Sequence, residues 1–267
     1  MRLVTWNVNS LKARLPRLLE LLEEHRPDVV CLQETKAALD AFPHLDLAAA
    51  GYTAVDHSAG RWAGVAILAR DDHRVDDVVR GLEGEVAPQE ARWLEATVDG
   101  VRVVSVYVPN GRALGTPTFE AKLRFLEAME RRVRALLGSA QEGAGAAPAR
   151  SLVVAGDMNV CLTDADVYDP AAFVGSTHVT EDERSRLRAV LAAGLVDAYR
   201  ALHPDEVGFT WWDYRAGHFH KRMGLRLDLV LLSHDLAERL EHCGIDRSYR
   251  KGPKPSDHAP VLVDLRG

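Results

Sequence analysis

The sequence predicts an α/β fold in which β-sheets pack against one another and are flanked by helices. Short apolar segments of strand length alternate along the chain with segments whose apolar residues recur at helical spacing. Two neighbouring strand candidates, Leu94 to Val98 and Val101 to Val108, are joined by a tight turn, and such a hairpin excludes an all-parallel sheet. Both sides of the second strand are apolar, so each side requires a covering layer.

The N-terminal segment predicts a strand, a helix and a second strand. Leu3 to Asn7 is the first strand, and Pro27 ends the helix that follows it. One face of that helix is apolar because large apolar residues lie three and four positions apart, namely Leu15, Leu18, Leu19 and Leu22. Val29 to Leu32 is the second strand, and its uninterrupted apolar run indicates that it is buried.

The central segment predicts a strand at Ala63 to Ala69 and then the hairpin. Asp99 and Gly100 tolerate the positive φ angles of a type I′ turn, which suits the connection between the two hairpin strands. The apolar residues on the faces of the second hairpin strand are Val101 and Val103 on one side and Val104, Val106 and Val108 on the other.

The C-terminal half predicts a long helix whose apolar face is formed by Phe119, Leu123, Leu126, Val133 and Leu137. The small residues from Gly138 to Arg150 are interpreted as a surface loop, because a strand at Leu152 to Ala155 follows directly. A linker between two domains is the weaker interpretation, so residues 1–267 are expected to form a single domain. The remaining predicted elements are a helix at Leu187 to Leu191 and strands at Leu227 to Leu232 and Val261 to Leu265.

Length and composition indicate an ordinary globular chain. The 267 residues include 47 % hydrophobic and 27 % charged residues, which excludes fibrous and disordered classes. No apolar run approaches the roughly 20 residues that cross a bilayer, so no membrane partner is expected. The N-terminus lacks the pattern of a signal peptide, and three widely spaced cysteines (Cys31, Cys161 and Cys243) suit a reducing compartment. A cytoplasmic location is therefore expected.

Polar side chains follow or precede the buried strands. Four apolar runs end in an amide or a carboxylate, and two further polar groups come just before the last two strands. If those last two strands run antiparallel to the others, all six positions meet at one edge of the sheets. Because buried charge is costly unless it is paired or bound to metal, the cluster predicts a hard-cation site. Its members are Asn7, Glu34, Asp157, Asn159, Asp228, Asp257 and His258.

Each of these residues alone has a structural explanation. Asn7 can cap a strand end, Glu34 can be a solvated strand end, and Asp157 can form an Asx turn. Tyr107 can be a core residue with a satisfied hydroxyl group, and Asp257 can begin a loop. The functional interpretation depends on their coincidence at equivalent ends of strands.

Six short motifs occur in a fixed order: TWNVNS (5–10), LQETK (32–36), GDMN (156–159), TWWDYR (210–215), GLRLD (224–228) and SDHAP (256–260). Together they resemble the bacterial exonuclease III family, which belongs to the endonuclease/exonuclease/phosphatase superfamily. The GDMN and SDH elements are typical of the whole superfamily, whereas LQETK and the TWWDYR to GLRLD stretch resemble its DNA-repair branch. The resemblance extends over nearly the whole chain, from Asn7 to His258.

This resemblance implies a four-layer α/β sandwich, in which two packed mixed β-sheets are flanked by helices. It also implies a phosphodiesterase that depends on Mg²⁺, for which Mn²⁺ is an alternative. The family's activities are 3′→5′ exonuclease, cleavage 5′ to abasic sites and removal of 3′-blocking groups. The implied function is DNA repair, and the implied partner is double-stranded DNA that carries abasic sites or 3′ ends.

The resemblance also implies which residues surround the metal. Glu34 is the metal carboxylate, and Asn7 and Asp257 lie close to the metal directly or through water. Asp157 and Asn159 complete the expected metal environment. Oxygen ligands suit Mg²⁺, which keeps several waters and needs only one or two carboxylates.

The catalytic roles implied by the resemblance form a second group. Asp157 is the general base that orients water, and Asn159 holds that water. His258 faces the scissile phosphate, and Asp228 fixes and charges its imidazole. Tyr107 is expected on the phosphate side, together with Asn110 in the loop that follows it.

Two positions differ from eukaryotic relatives of this family. Asn9 stands where some of them carry Asp, which weakens any second metal contact there. Leu225 stands where those relatives carry a Trp that lines the pocket for the abasic sugar. The sequence therefore leaves open the balance between abasic-site cleavage and exonuclease activity, and whether one metal or two take part. It also does not decide how Asp157, Tyr107 and His258 divide the chemistry.

The net charge of 33 − 39 = −6 argues against a protein that coats nucleic acid, but cations are concentrated beside the predicted site. The expected DNA-contacting residues are Asn110, Arg112, Trp211, Tyr214, Arg215, Lys221, Arg222 and Arg226. A second basic run precedes Asp257 and consists of Arg247, Arg250, Lys251 and Lys254. The alternative is a solvated loop with buried tryptophans. Lone histidines are interpreted as surface or structural residues, namely His25, His178 and His203.

Two alternative functions remain at this stage. A superfamily phosphatase or RNA-directed nuclease would turn over inositol phosphates or poly(A) and act little on abasic duplex DNA. A catalytically inactive DNA-binding relative is the other, but the intact polar cluster argues against it. No interface signature stands out, so a monomer is expected.

Overall fold

The computed structural model describes residues 1–138 and 151–267. This part of the chain contains two six-stranded β-sheets. The strands are β1 (Arg2–Asn7), β2 (Val29–Gln33), β3 (Tyr52–His57), β4 (Val65–Arg70), β5 (Val75–Arg80), β6 (Trp93–Val98), β7 (Val101–Tyr107), β8 (Leu152–Asp157), β9 (Leu195–Asp197), β10 (Asp228–Ser233), β11 (Leu240–Ile245) and β12 (Val261–Leu265). The α-helices are α1 (Leu11–His25), α2 (His44–Ala49), α3 (Pro117–Leu136), α4 (Glu181–Ala192), α5 (Ala198–Leu202) and α6 (His234–Ala237). Short 3₁₀ helices lie at Asp164–Asp166, Pro170–Phe173, Arg215–Gly217 and Arg247–Arg250.

Both sheets are mixed. The strand order is β11-β12-β1-β2-β4-β3 in the first sheet and β5-β6-β7-β8-β10-β9 in the second. β1 and β2 are parallel, as are β7 and β8, and the other neighbouring pairs are antiparallel. Asp99 and Gly100 connect β6 to β7 with φ angles of 47° and 82°, which confirms the predicted hairpin.

The two sheets pack face to face, and helices cover their outer faces. Ile67 of the first sheet and Val103 of the second share the core between the sheets. α1 and α2 cover the first sheet, with Leu18 and Leu47 in the outer core. α3 and α4 cover the second sheet, where Val104 faces the helices. The alternation of Val103 and Val104 explains why both faces of β7 are apolar, and it confirms the four-layer α/β sandwich.

The four strands that the sequence does not predict are all edge strands. β11 and β3 end the first sheet, and β5 and β9 end the second. An edge strand packs against a neighbour on one side only and tolerates charged residues, as the sequence VDDVVR of β5 shows. Apolar runs therefore identify the interior strands and not the edges.

The predicted strands, α1 and α3 agree with the structure to within a few residues, whereas α4 begins at Glu181, six residues before the predicted start at Leu187. α1 continues through Pro16 and ends at His25, followed by Arg26 in the left-handed region with a φ of 44°. The predicted loop at 138–150 lies almost wholly outside the described residues, so its interpretation stays a prediction. Within the described residues, none of the helices has both the length and the apolar character that a bilayer crossing requires.

Candidate active site

The ends of strands from both sheets meet at one edge of the sandwich. In the second sheet, Tyr107 of β7 and Asp228 of β10 are the register partners of Asp157 at the end of β8. In the first sheet, Asn7 ends β1 beside the end of β2, which directly precedes Glu34. β10 and β12 run antiparallel to β8 and β1, so the condition for the predicted cluster is met.

Gly156 lets β8 approach β7 closely, just before the edge of the sandwich where the ends of the strands meet. Its φ is 153°, and a Cβ atom at this position would lie 1.9 Å from the carbonyl oxygen of Val106. Only glycine permits this approach. The GDMN motif therefore begins with a packing requirement that places Asp157 at the edge.

The side-chain amide of Asn7 holds two carboxylates together. Its Nδ2 atom donates to Oε1 of Glu34 and to Oδ2 of Asp157, each at 2.9 Å. Its Oδ1 atom accepts a hydrogen bond from the backbone N–H of Asn9 at 3.0 Å. Asn7 therefore lies beside the predicted metal ligands and, in this arrangement, orients the two carboxylates.

Three titratable side chains converge at this edge, and two of them are carboxylates that can hold a metal ion. Ligand atoms of Glu34, Asp157 and His258 lie within 4.8 Å of one another. Burial raises the pKa of Asp157 to about 7, and the charges of Asp228 and Glu34 add to this rise against the opposing effect of His258. Convergent carboxylate oxygens with excess negative charge are the donor set that a hard divalent cation prefers. The residues therefore fit such a cation.

Lys36 partly balances this charge. Its Nζ atom lies 2.8 Å from Oε2 of Glu34 and donates to Oδ1 of Asn9 at 2.6 Å. The ammonium group therefore neutralises one side of the Glu34 carboxylate, and the other oxygen faces Asn7. The LQETK motif thus supplies both a carboxylate and its counterion.

His258 is held between two carboxylates. Its Nδ1 atom lies 2.7 Å from Oδ2 of Asp228, and its Nε2 atom lies 3.7 Å from Oδ2 of Asp157. Burial opposes protonation of the imidazole, but the charges of Asp228 and Asp157 outweigh this effect and raise the pKa of His258 to about 10. The ring is therefore an imidazolium near neutral pH, and its Nε2 atom is a hydrogen-bond donor rather than a metal ligand.

Tyr107 contributes a phenol that retains its proton. The side chain is buried, and the guanidinium carbon of Arg92 lies 4.6 Å from the ring centroid. Burial, followed by the charges of Glu34 and Asp157, holds the pKa of Tyr107 well above its ordinary value. The hydroxyl group is thus suited to donate a hydrogen bond and not to act as a base.

The loops after β7 and β8 are joined through two asparagines. Asn159 donates its backbone N–H to Oδ1 of Asp157 at 2.9 Å and its side-chain Nδ2 to the carbonyl oxygen of Val108 at 2.9 Å. Asn110 donates from Nδ2 to Oδ1 of Asn159 at 3.2 Å. The predicted pair of Asp157 and Asn159 is therefore in contact, with Asn110 directly beside it.

Asp257 lies next to the cluster and not within it. Its Oδ1 atom accepts from Nδ2 of Asn9 at 2.9 Å, and its Oδ2 atom accepts from Nε1 of Trp211 at 3.0 Å. Both oxygens are thus engaged, one by the loop after β1 and the other by the TWWDYR segment. Among the described residues, Asp257 is not one of the three side chains whose ligand atoms converge.

Most of the predicted DNA-contacting side chains are exposed around this edge. Those with exposed side chains are Asn110, Arg112, Tyr214, Arg215, Lys221 and Arg222, whereas Trp211 is half-buried. Arg215 forms an ion pair with Asp213 at 2.7 Å. Asp213 directly precedes the basic segment, so this pair reduces the net positive charge of the segment. Tyr214 accepts a hydrogen bond from Arg14 at 2.9 Å, so it is anchored to α1.

The prediction that Arg226 contacts DNA is wrong. Its side chain is only 1 % exposed, and it donates from Nε to Asp166 at 2.7 Å and from Nη1 to Asp197 at 2.8 Å. These partners lie 60 and 29 residues away along the chain, so local sequence gives no sign of them. Arg226 is a structural cation beneath the TWWDYR segment.

The second basic run is also partly structural. Arg250 is buried, and its guanidinium carbon lies 5.9 Å from the ring of Trp212 and 5.1 Å from that of Phe219. Arg247 stacks over the same two rings at 5.4 and 5.3 Å. These cation–π contacts support the loop that carries Lys221 and Arg222. The exposed cations of this run are Arg247, Lys251 and Lys254.

Several residues at the site are not predicted by the sequence. Lys122 of α3 is buried, and its Nζ atom contacts the loops of both asparagines. His178, interpreted as a surface or structural residue, places Nδ1 2.6 Å from the carbonyl oxygen of Asn159. A signal exists for Lys122, because it lies at helical spacing within the apolar face that includes Phe119 and Leu126. Trp62, in the loop before β4, is 75 % exposed.

The fold and the site together define an enzyme whose polar groups converge at one edge of the sandwich. These groups are the carboxylates of Glu34 and Asp157, the imidazolium of His258 and the phenol of Tyr107. A model of the Endonuclease/Exonuclease/phosphatase family matches residues 4–258, and the chain belongs to this family. The match extends over nearly the whole sandwich and includes every residue of the cluster.

Relatives of known structure or name support this assignment. The chain is 30 % identical to exodeoxyribonuclease III of Haemophilus influenzae over 100 % of both chains. It is similar to a 3′ phosphatase from Neisseria solved with a product DNA hairpin, with a TM-score of 0.92 and 37 % identity over 100 % of both chains. An AP endonuclease from Archaeoglobus fulgidus gives a TM-score of 0.91 and 32 % identity over 99 % of both chains. The predicted resemblance is confirmed.

Proposed function

We propose that this protein is a Mg²⁺-dependent DNA-repair nuclease that hydrolyses phosphodiesters of duplex DNA. The proposed activities are 3′→5′ exonuclease, cleavage 5′ to abasic sites and removal of 3′-blocking groups. The observation that carries the proposal is the convergence of Glu34, Asp157 and His258 within 4.8 Å at the edge where both sheets end. The similar proteins named as exodeoxyribonuclease, 3′ phosphatase and AP endonuclease support one activity each.

Asp157 is the proposed general base. Burial raises the pKa of Asp157 to about 7, and a cation bound beside it would favour the ionised carboxylate, which is the form that accepts a proton. Asn159 is bonded to Asp157 through its backbone, and its side-chain amide retains one N–H and one lone pair for a water molecule. We infer that Asn159 holds the attacking water while Asp157 accepts its proton.

His258, Tyr107 and Asn110 are proposed to face the phosphate. Asp228 keeps His258 protonated, so Nε2 donates a hydrogen bond as negative charge develops on the phosphate oxygens. The high pKa of Tyr107 makes its hydroxyl group a second donor. Asn110 presents its amide from the neighbouring loop. This division of roles leaves Asp157 as the base.

Glu34 and Asp157 are the proposed cation ligands, with Asn7 orienting both and Asp257 reaching the cation through water. A bound Mg²⁺ ion would neutralise phosphate charge and stabilise the leaving oxygen. Mn²⁺ takes the same oxygen ligands and is the proposed substitute. Lys36 remains beside Glu34 and limits the negative charge at the site.

Lys221 and Arg222 form the proposed phosphate-binding loop, and Arg112, in the loop after β7, is a further proposed phosphate contact. Trp211 and Tyr214 precede the basic loop in the chain, and Trp62 is exposed in the loop before β4. Cations that grip phosphates next to rings that contact sugars or bases suit DNA rather than a small phosphate ester. Leu225 is buried beside Trp211. We therefore expect a changed wall for an abasic sugar.

The organisation of the protein is proposed on separate grounds. The core that both sheets share supports a single domain over residues 1–267. Three free, buried cysteines support a reducing location such as the cytoplasm. A monomer is the simplest form, because all the proposed catalytic residues come from one chain.

The decisive experiment uses two labelled duplexes, one with a single abasic analogue and one blunt, each with Mg²⁺ or with EDTA. We expect cleavage of both duplexes in Mg²⁺ and none in EDTA. If neither duplex is cleaved, the proposed function is wrong. Turnover of inositol phosphates or poly(A) without cleavage of abasic duplex would favour the other branch of the superfamily.

A further inference from the structure

Lys122 is a buried cation behind the proposed active site. It lies within α3, and its Nζ atom donates to the backbone carbonyl of Asn159 at 2.7 Å and to that of Asn110 at 3.2 Å. The same atom contacts Oε1 of Glu183 in α4 and lies 3.1 Å from Oγ1 of Thr177. One ammonium group therefore connects two helices to the two loops that leave β7 and β8.

Glu183 ties a third segment to this group. Its Oε1 atom accepts hydrogen bonds from Oγ1 of Thr177 at 2.7 Å and from the backbone N–H of His178 at 2.9 Å. Its Oε2 atom accepts from the backbone N–H of Thr180 at 3.1 Å, within the capping box that begins α4. The carboxylate thus fixes residues 177–180 against the start of the helix.

The backbone of Asn159 is held at three points by these contacts. Its carbonyl oxygen accepts from Lys122 at 2.7 Å and lies 2.6 Å from Nδ1 of His178. Its N–H donates to Asp157 at 2.9 Å. Its φ is 50°, a left-handed conformation that a residue other than glycine keeps only when its surroundings enforce it. The direction of the Asn159 side chain therefore depends on the carbonyl contacts.

Stability alone does not account for this ion pair. The side chains of Lys122 and Glu183 are both 0 % exposed, and desolvation of such a pair commonly costs as much as its attraction returns. An apolar side chain of similar length would fill the same space. It could not donate to two backbone carbonyls and a carboxylate at once. The ammonium group of Lys122 is thus needed to hold the backbone carbonyls of Asn110 and Asn159 in place.

We propose that Lys122 is a positioning residue that fixes Asn159, and through it the attacking water, without touching the DNA. Glu183 is its counterion and aligns it. This inference rests on the proposed function, because Asn159 holds a water only in that reaction. It assigns the role to a residue in a helix, away from the motifs at the strand ends.

The test is a double-mutant cycle of Lys122→Met and Asn159→Ala on the duplex with one abasic analogue. Lys122→Met alone is expected to lower kcat about 10- to 100-fold, with KM changed less than about threefold. In the Asn159→Ala background, the same substitution is expected to lower kcat less than about threefold, because the group that it positions is gone. An equal loss in both backgrounds would overturn the proposal.

Arg102→Met is the matched control. Arg102 forms a buried ion pair with Glu95 near the start of β7, at the end of the strand opposite Tyr107. This variant is expected to lower the melting temperature as Lys122→Met does, with kcat within about twofold of the wild type. A similar loss of kcat in both variants would also overturn the proposal.

Two further conditions keep the outcome clear. If Lys122→Met does not fold, Glu183→Gln takes its place in the double-mutant cycle with Asn159→Ala, because glutamine keeps an acceptor oxygen. The loss of kcat should again be smaller in the Asn159→Ala background. The wild-type protein is measured on both duplexes in the same assay. Lack of wild-type cleavage counts against the proposed function, whereas an additive cycle in an active enzyme overturns only the role of Lys122.

Discussion

The Nδ1 atom of His258 lies 2.7 Å from the carboxylate of Asp228, and this contact joins the two sheets at the catalytic edge. Asp228 begins β10 in the second sheet, whereas His258 precedes β12 in the first. Both side chains are buried. A charged pair at this position makes the protonation of the imidazole depend on how the two sheets pack.

Loss of the base or of the imidazolium should abolish turnover and spare binding. We expect Asp157→Asn and His258→Ala each to lower kcat by about two to four orders of magnitude, because proton transfer and charge stabilisation are lost separately. Duplex binding should persist, since neither residue belongs to the basic loop. Single-turnover rates and a gel-shift assay measure the two properties.

The control for these variants is His203→Gln. His203 lies 2.8 Å from the carbonyl oxygen of Cys243 and away from the catalytic edge. Near-normal turnover of either catalytic variant would contradict the role proposed for that residue.

The basic loop should govern the salt dependence of binding. Replacement of Lys221 and Arg222 by Ala is expected to weaken duplex affinity and to reduce the slope of log Kd against log salt by about 0.9 for each lost phosphate contact. Affinity measured across a salt series gives the slope. Unchanged affinity would remove this loop from the interface.

Arg226→Ala separates the structural cation from the loop cations. Because Arg226 is buried between Asp166 and Asp197, its removal takes the ion-pair partner from Asp197 and leaves Arg200 as the ion-pair partner of Asp166. We expect a loss of about 3–5 kcal/mol in the free energy of unfolding, as for other broken buried pairs. Denaturant titration measures this loss. A change confined to DNA affinity, with full stability, would argue for a DNA-contacting role after all.

Glu34 should set the metal requirement. Glu34→Gln removes one anionic oxygen ligand and leaves the charge of Lys36 unopposed, so both changes disfavour a cation. We expect the Mg²⁺ concentration for half-maximal cleavage to rise by at least about tenfold. Titration of Mg²⁺ into the variant and the wild type provides the measurement. Glu85→Gln, remote from the cluster, is the control, and an unchanged requirement in Glu34→Gln would contradict the assignment.

A histidine far from the active site should make stability depend on pH. Nδ1 of His73 lies 2.6 Å from Asp99, and Nε2 lies 3.0 Å from Asp28. Burial opposes protonation of His73, but hydrogen bonds to Asp99 and Asp28 outweigh this effect and raise its pKa. A raised folded-state pKa means that protonation stabilises the fold.

This contribution is complete below the unfolded pKa of His73, about 6.5, and is lost as pH rises through the folded pKa. The difference in melting temperature between the wild type and His73→Gln should therefore be largest at mildly acidic pH and shrink as pH rises. The exposed His220→Gln serves as the control. A difference that stays constant with pH would contradict the prediction.

The interior strands of the fold and the two central carboxylates of the site could be predicted from local sequence patterns. Apolar runs identify the interior strands because both faces of such strands are buried, as for β7. Asp157 and Glu34 are recognisable because a carboxylate directly after a buried run is costly without a partner or a metal. The edge strands, such as β5, carry no such pattern because only one side of each is paired in its sheet.

Which cations near the motifs are buried could not be predicted from the motifs themselves, although the helical spacing of Lys122 is a signal for its burial. Lys122, Arg226 and Arg250 are all buried, whereas Lys221 and Arg222 are exposed. The difference depends on partners distant in the chain, such as Glu183 for Lys122, 61 residues away. A basic residue near a motif therefore predicts a DNA contact only when no buried carboxylate or aromatic ring already holds it.

The sequence by itself determined the α/β class, the strand ends that carry the catalytic groups and the resemblance to the exonuclease III family. Those features depend on residues that are close together along the chain. Only the tertiary structure decided that His258 is charged, that Asn7 orients two carboxylates and that Lys122 supports Asn159. These properties arise from burial and from contacts between separate elements, because the energy of a charge depends on everything packed around it.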